Sequence, residues 1–311
     1  MLLMLTTGVI IAGAFFVRRT WCRYLCFLGG LSGNYARAGL VELRATPETC
    51  ANCDVKACYN ENEKAPGCPM FEFPRSMDDS ARCNLCGYCV KTCPNDSIRI
   101  SPRTPTSELW FIKRPKVEES FLAIVIMGIV FVQNITMLEI WEKILTWLEQ
   151  ALGITSYSLI FTVTFLIAMA LPVAALTLAS WLVKLGNGEP VKTNFARFGY
   201  ALIPLDLAGH VAHNLFHLLA EGKAVVFTAL AMFGIESHGL SPALAAPETI
   251  KVLEFVLLGL GAIGSLYGAY RIAKFNAGVK YIRSFLPMAV LIIVLTLVNV
   301  YLFLLPMAMR M

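Results

Sequence analysis

The densest chemistry in this chain lies in Cys83-Asn-Leu-Cys86-Gly-Tyr-Cys89-Val-Lys-Thr-Cys93-Pro94. Cysteines separated by two, two and three residues and closed by proline have the spacing of bacterial loops that hold [4Fe-4S] clusters. Three thiolates on a short loop meet one face of a cubane, and the fourth, turned away by the proline, reaches a second cluster. A looser copy of this plan precedes it: Cys50-Ala-Asn-Cys53, then Cys58 after four intervening residues, then Gly67-Cys68-Pro69. Crossed ligation predicts Cys50, Cys53, Cys58 and Cys93 on one cluster and Cys83, Cys86, Cys89 and Cys68 on the other. The stretched first set also admits a zinc site or a lone cluster with spare cysteines. Cys22 and Cys26 remain. On a helix their spacing puts them one turn apart on one face. They read as a thiol pair near a cofactor path, as ligands to a partner's metal, or as two small buried residues.

Three of the four histidines lie in Gly209-His210-Val-Ala-His213-Asn-Leu-Phe-His217. On a helix, Asp206, His210, His213 and His217 fall at about 0°, 40°, 340° and 20°, a single stripe. Ionisable groups inside a membrane are costly and mark function by default. Three uses compete. One is a quinone site, where an acid or base takes the protons of quinol oxidation. The second is a b-type haem or other metal, which needs a further ligand such as His238 or a residue of a partner chain. The third is hydrogen bonding that packs helices or subunits. Gln133, Asn134, Glu254 and Asn299 are further polar groups in apolar segments and could face the stripe. No Cys-x-x-Cys-His occurs, so the motif for covalent c-type haem is missing.

The elements that must position these groups are mostly membrane helices. The chain is 57% hydrophobic and 15% charged, against about 25% charged in ordinary soluble domains. Apolar segments approaching the roughly 20 residues of a span run from Leu2 to Val17, Phe121 to Leu138, Ser158 to Leu185, Phe198 to Leu219, Val252 to Ala273 and Phe285 to Met309. The expected fold is therefore mostly α: about six transmembrane helices with an inserted small α+β ferredoxin-like domain of the bacterial two-cluster type. The first segment has its arginines, Arg18, Arg19 and Arg23, after the apolar run, which favours an anchor over a secretory signal.

Between Arg18 and Val117 lie 15 Lys or Arg and 10 Asp or Glu of the chain's 26 and 21. That stretch reads as a soluble domain. The basic excess there, around Lys184 to Arg197, and at Arg271, Lys274, Lys280 and Arg283, predicts those regions on the cytoplasmic side and both termini outside. The expected division is a helix at 1–17, a membrane-surface connector at 18–49, the two-cluster domain at 50–117 and a five-helix membrane domain at 118–311. Leu138 to Leu152 reads as an interfacial amphipathic helix, and Lys223 to Ile235 as a short outer segment that dips into the membrane. Ile98 and Ile100 read as a short strand closing the cluster domain. No basic run interleaved with aromatics suggests nucleic acid. Rossmann glycines, a P-loop and a nucleophile elbow are also missing, which leaves nucleotide, flavin and hydrolytic chemistry without residues.

Trp21-Cys22-Arg23-Tyr24-Leu25-Cys26, directly after a membrane helix and ahead of the cysteine motifs, resembles the C-R-Y-x-C-P element of the NapH/NosR-type membrane ferredoxins. The resemblance covers about residues 15–115; Phe27 replaces the family's usual proline, and one such element stands where those relatives commonly have two. It implies a quinol-linked electron-transfer role in a bacterial or archaeal cytoplasmic membrane, with lipid, quinone and other redox subunits as partners. The expected function is a respiratory electron-transfer subunit, either without catalysis of its own or acting as a quinol dehydrogenase. The rival from another class is an iron–sulfur protein for redox sensing or for maturation of a partner metalloenzyme.

Overall fold

The computed structural model describes residues 2–112, 114–153, 156–234, 240–277 and 281–305. They form two compact units that divide between Pro115 and Lys116.

The first unit opens with helix α1 (Leu2–Phe15), apolar on all sides. At about 1.5 Å per residue its 14 residues reach about 21 Å, short of a bilayer core of about 30 Å. Helices α2 (Thr20–Tyr24) and α3 (Phe27–Ala38) follow, then β1 (Val41–Ala45), α4 (Pro47–Ala51) and α5 (Ala57–Asn60). A short hairpin of β2 (Glu61–Asn62) and β3 (Ala65–Pro66), helix α6 (Tyr88–Thr92), β4 (Ile98–Pro102) and α7 (Ser107–Trp110) complete the unit.

The strand expected at Ile98 and Ile100 is β4. Its partner is β1, antiparallel, with Leu43 opposite Ile100 and Ala45 opposite Ile98. Residues 41–45, which the sequence reading gave to the connector, thus share a sheet with the end of the cluster domain. Alternation in Val41-Glu-Leu-Arg-Ala45 sends Leu43 inward, where it packs with Ile98, Cys89 and Cys93 as the core of this unit.

The expectation that Cys22 and Cys26 lie one helical turn apart does not hold. Cys22 is in α2, but the helix ends at Tyr24 and Cys26 is extended (φ −81°, ψ 117°) ahead of α3. Glycines explain the break. Chain reversal brings Gly29 so near the Cys22 carbonyl that a Cβ there would lie 2.0 Å from the oxygen. Cys22 is exposed and Cys26 half-buried.

The second unit contains α8 (Val117–Ile135), α9 (Glu139–Leu152), α10 (Tyr157–Asn187), α11 (Val191–Phe198), α12 (Ile203–Ala231), α13 (Pro247–Ala277) and α14 (Tyr281–Leu304). Of these, α8, α10, α13 and α14 are long and apolar enough to cross a membrane. The segment expected from Phe198 to Leu219 is different in kind. A 3-10 turn at Gly199–Leu202 separates α11 from α12, because Pro204 fits the first turn of a new helix. Helix α12 then runs unbroken through Lys223 to Ala231, so the dipping segment expected from Lys223 is its last turns; Ile235 lies outside the described residues. Its 29 residues are long enough to span, but Asp206, the histidines, Glu221 and Lys223 keep it out of the apolar class.

Helix α9 is amphipathic: Trp141 and Leu145 are buried with Ile160, and Trp147 is exposed. Close packing of α12 on α13 depends on a small residue, since a Cβ on Gly261 would stand 2.4 Å from that of Ala208. Substitution of Gly261 by Val or Leu is expected to separate the two helices and lower the yield of monodisperse protein in size-exclusion chromatography; Gly259, with open space around it, accepts Ala.

Candidate functional site

In the first unit the chain gathers eight cysteines into two groups. Cys50 on α4, Cys53 just after it, Cys58 on α5 and Cys93 at the end of α6 line one cavity with Lys56, Phe73, Arg75, Ser97 and Ile98. Burial, and after it the charges of Cys93, Cys50 and Cys53, push the Cys58 thiol up to about 11. In the second group Cys89 faces Cys83, Cys68 and Cys86; burial and then those three charges push it up to about 12. Cys83 is raised as well, chiefly by burial. Each group therefore takes three cysteines from one motif and the Cys-Pro cysteine from the other.

Four thiolates crowded this way repel one another and gain strongly from a cation between them, and ligation releases their protons. Among the described residues no three His, Cys, Asp or Glu side chains are close enough to hold a single metal ion.

The loops that aim these thiols are bent at costly places. Lys56 (φ 51°) precedes Cys58, and Leu85 (φ 52°) lies between Cys83 and Cys86. Non-glycine residues in the left-handed region cost of order 1 kcal/mol each and persist only where the surroundings fix them. Backbone N–H groups point at sulfur twice, Ser97 N–H to Cys93 Sγ at 3.4 Å and Glu72 N–H to Cys68 Sγ at 3.3 Å, and Ser97 Oγ lies 3.1 Å from Cys50 Sγ. Such bonds raise the reduction potential of a cluster held there. No sequence signal marked Ser97 or Glu72.

The Cys68 loop is tied to residues just beyond α1. Arg18 donates to the Cys68 carbonyl at 3.2 Å and the Tyr59 carbonyl at 2.9 Å, and its guanidinium lies over the rings of Tyr59 and Phe71. Arg23 reaches the Met70 carbonyl and pairs with Glu72 at 3.1 Å. Gly67 is required here, since a Cβ would stand 2.2 Å from the Tyr59 carbonyl oxygen. Gly67→Ala is expected to displace Cys68 most, lowering the electron-spin signal of a cluster held by the second group more than that of one held by the first. Electron paramagnetic resonance on the reduced protein checks this.

Beneath the second group lies a buried ion network. Glu108 on α7 pairs with Arg44 and Arg103, and accepts from the Ser80 amide at 2.8 Å and the Ser80 hydroxyl at 2.7 Å. Arg103 also donates to the carbonyls of Gly39, at 2.7 Å, and Ala36. The network fastens α3, β1 and α7 to the loop that leads into Cys83.

In the second unit, the stripe on α12 is partly brought together. Asp206 is buried, and His210, His213 and His217 are half-buried. The rings of His213 and His217 meet edge to face at 5.0 Å, and His217 Nδ1 is 3.4 Å from Glu221. His213 Nδ1 is 2.8 Å from Asn134 Oδ1 on α8. Since that oxygen only accepts, Nδ1 carries the hydrogen and Nε2 keeps a free lone pair. A cavity of about 540 Å³ opens here, lined by His213, Asn134, Glu254, Lys251, Phe216 and Leu302 among others. Asp206, His210 and His217 do not line it. His238 lies outside the described residues. Asn134 and Glu254 were visible in the sequence as polar residues in apolar segments; Lys251 was not singled out.

Comparison with known proteins agrees with the cysteine geometry. Residues 77–99 match the 4Fe-4S binding domain family. A putative electron transport protein of Escherichia coli, YccM, is 29% identical over 91 residues, 29% of this chain and 24% of that protein. NADH-quinone oxidoreductase subunit I of Pelobacter propionicus is 31% identical over an alignment of 122 residues, 32% of this chain and 64% of that subunit. The chain thus spans about a quarter of the first relative's length and just under two thirds of the second's. No solved structure matches it. A 4Fe-4S binding domain thus stands in a chain that has four helices long and apolar enough to cross a membrane and that is similar, over part of its length, to electron-transport proteins.

Proposed function

We propose that this chain is a membrane electron-transfer subunit of a respiratory complex. It holds two [4Fe-4S] clusters, on Cys50, Cys53, Cys58 and Cys93 and on Cys68, Cys83, Cys86 and Cys89, and exchanges electrons with quinone or quinol and with partner redox subunits. The observation that carries this reading is the crossed grouping of eight cysteines into two sets of four. Bound there, such clusters supply one-electron transfer at potentials set by thiolate ligation, burial and hydrogen bonds to sulfur.

The cavity beside His213 is the proposed quinone site. It is large, mostly apolar and has a few convergent polar groups, as small-molecule sites do. His213 Nε2 accepts the proton of a quinol hydroxyl, Asn134 holds the imidazole in that tautomer, and the Asn134 Nδ2 group, without a partner among the described residues, donates to the ring oxygen. Counting α12, and the short α1 in a locally thinned bilayer, with the four apolar helices gives six spans. The basic excess of residues 18–117 favours the cytoplasmic side for the cluster domain.

The test uses the purified full-length protein with a water-soluble quinol analogue. His213→Ala is expected to slow cluster reduction by quinol about 100-fold, the usual scale of a lost acid–base group. Reduction by dithionite and the electron-spin signals should stay as in wild type. Unchanged quinol reduction would overturn the assignment of the cavity. A haem band present in wild type and lost in His213→Ala would reassign His213 to haem. Clusters that never exchange electrons with quinol or a partner subunit would favour a sensing or maturation role.

A further inference from the structure

We infer that the second unit contains a proton path, running in the seam between α8, α12 and α14, with Asp206 as its buried relay. Asp206 is 1% exposed, and neither carboxylate oxygen has a hydrogen-bond partner among the described residues. A carboxyl so placed is costly, and such orphaned groups are where buried water binds. It is also one of a series. Asp206, Gly209 and His213, three and four residues apart, share one face of α12. That face meets α8 and α14: a Cβ on Gly209 would lie 3.3 Å from Val130 and 3.5 Å from Asn299 Oδ1, and His213 bonds to Asn134.

Asn299 is fully buried, donates to the Leu295 carbonyl and toward Met127 Sδ, and leaves Oδ1 unpartnered. Beyond it, Asn134 Nδ2 and Glu254 Oε1 are orphans in the wall of the His213 cavity. At the opposite end of the seam Tyr200 donates to Glu119 at 2.6 Å. Along α12 and the turn before it, at about 1.5 Å per residue, Tyr200 to Asp206 is about 9 Å, Asp206 to the Asn299 level about 4.5 Å, and from there to His213 about 6 Å. Axial rises of this size are within the reach of a few bridging waters. A further buried oxygen facing α12, Ser265 Oγ on α13, is already bonded to the Leu205 amide at 3.0 Å.

The step is proton transfer alone. A proton arriving at Asp206 from the His213 and Glu254 end adds to one carboxylate oxygen, and the same group passes one on toward Tyr200 and Glu119, or the reverse. No electron is consumed, so the path works whatever the cavity binds. Coupled to redox chemistry there, it would carry the protons of that reaction across the membrane.

The full-length protein in liposomes loaded with a pH dye, with a potassium gradient and valinomycin imposing a potential, tests this directly. Wild type is expected to move protons faster than protein-free liposomes, Asp206→Asn to fall to the protein-free level, and Asp206→Glu to retain movement. Infrared spectra should show a carboxyl C=O band that shifts within the mixing time in deuterium oxide and is lost in Asp206→Asn. Wild-type flux at the protein-free level, unchanged flux in Asp206→Asn, or a band that does not exchange would overturn the proposal. Should Asp206→Asn fail to fold, Asp206→Glu, which moves the band without removing it, makes the same assignment. Loss of quinol oxidation with proton movement intact would count against the cavity assignment and leave this one standing.

Discussion

Cys93→Ala is expected to purify with about four irons per chain where the unmodified protein has about eight. The four that disappear should be those of Cys50, Cys53 and Cys58, although Cys93 belongs by sequence to the other motif. Cys68→Ala is expected to give the complementary protein, which keeps the first cluster and loses the one on Cys83, Cys86 and Cys89. Iron analysis and electron paramagnetic resonance of the two variants decide it, because the remaining signal must differ between them. Loss of the near cluster in each case would mean uncrossed ligation. The physical reason for the crossing is the chain path. Cys93, just past the end of α6, lines the cavity of Cys50, Cys53 and Cys58, while its three motif neighbours lie with Cys68.

Glu108→Ala is expected to be the most destabilising change outside the cysteines. Its side chain is 5% exposed and that of Arg103 is 3% exposed, so removal leaves a buried guanidinium without its counter-charge. Breaking one side of such a pair costs about 3–5 kcal/mol. Arg44→Ala should cost much less, nearer the 0–1 kcal/mol of an exposed pair, because Arg44 is 27% exposed and shares its charge with Glu42. Bleaching of cluster absorbance on heating measures both: Glu108→Ala should bleach well below wild type and Arg44→Ala close to it. Equal shifts in the two would show that the network acts as a set of surface contacts.

These two predictions show where the sequence was legible. Thiolate spacing is local, and a loop of twelve residues from Cys83 to Pro94 can be read without knowing what surrounds it. Apolar length is also local, which is why α8, α10, α13 and α14 appear at nearly the expected positions. The helical stripe of Asp206, His210, His213 and His217 follows from periodicity alone, and α12 is continuous through all four.

What the sequence could not supply depends on residues far apart in the chain. The separation of Cys22 from Cys26 by a helix break is set by Gly29 packing on the Cys22 carbonyl, a contact invisible to a spacing rule. Glu108 carries no signal in the sequence, and is central only because β1 and β4 pair and bring Arg44 and Arg103 to it. Within the stripe, periodicity made four residues equivalent. Tertiary packing divided them: His213 against Asn134 in a cavity, His217 against Glu221, and Asp206 buried with no hydrogen-bond partner among the described residues.

The crossed grouping of the cysteines was thus legible in the sequence itself, because short loops limit what a thiolate can reach. Which polar group faces a cavity, and which is buried without a partner, was decided only by the tertiary structure, because helix faces acquire different neighbours only when the bundle closes.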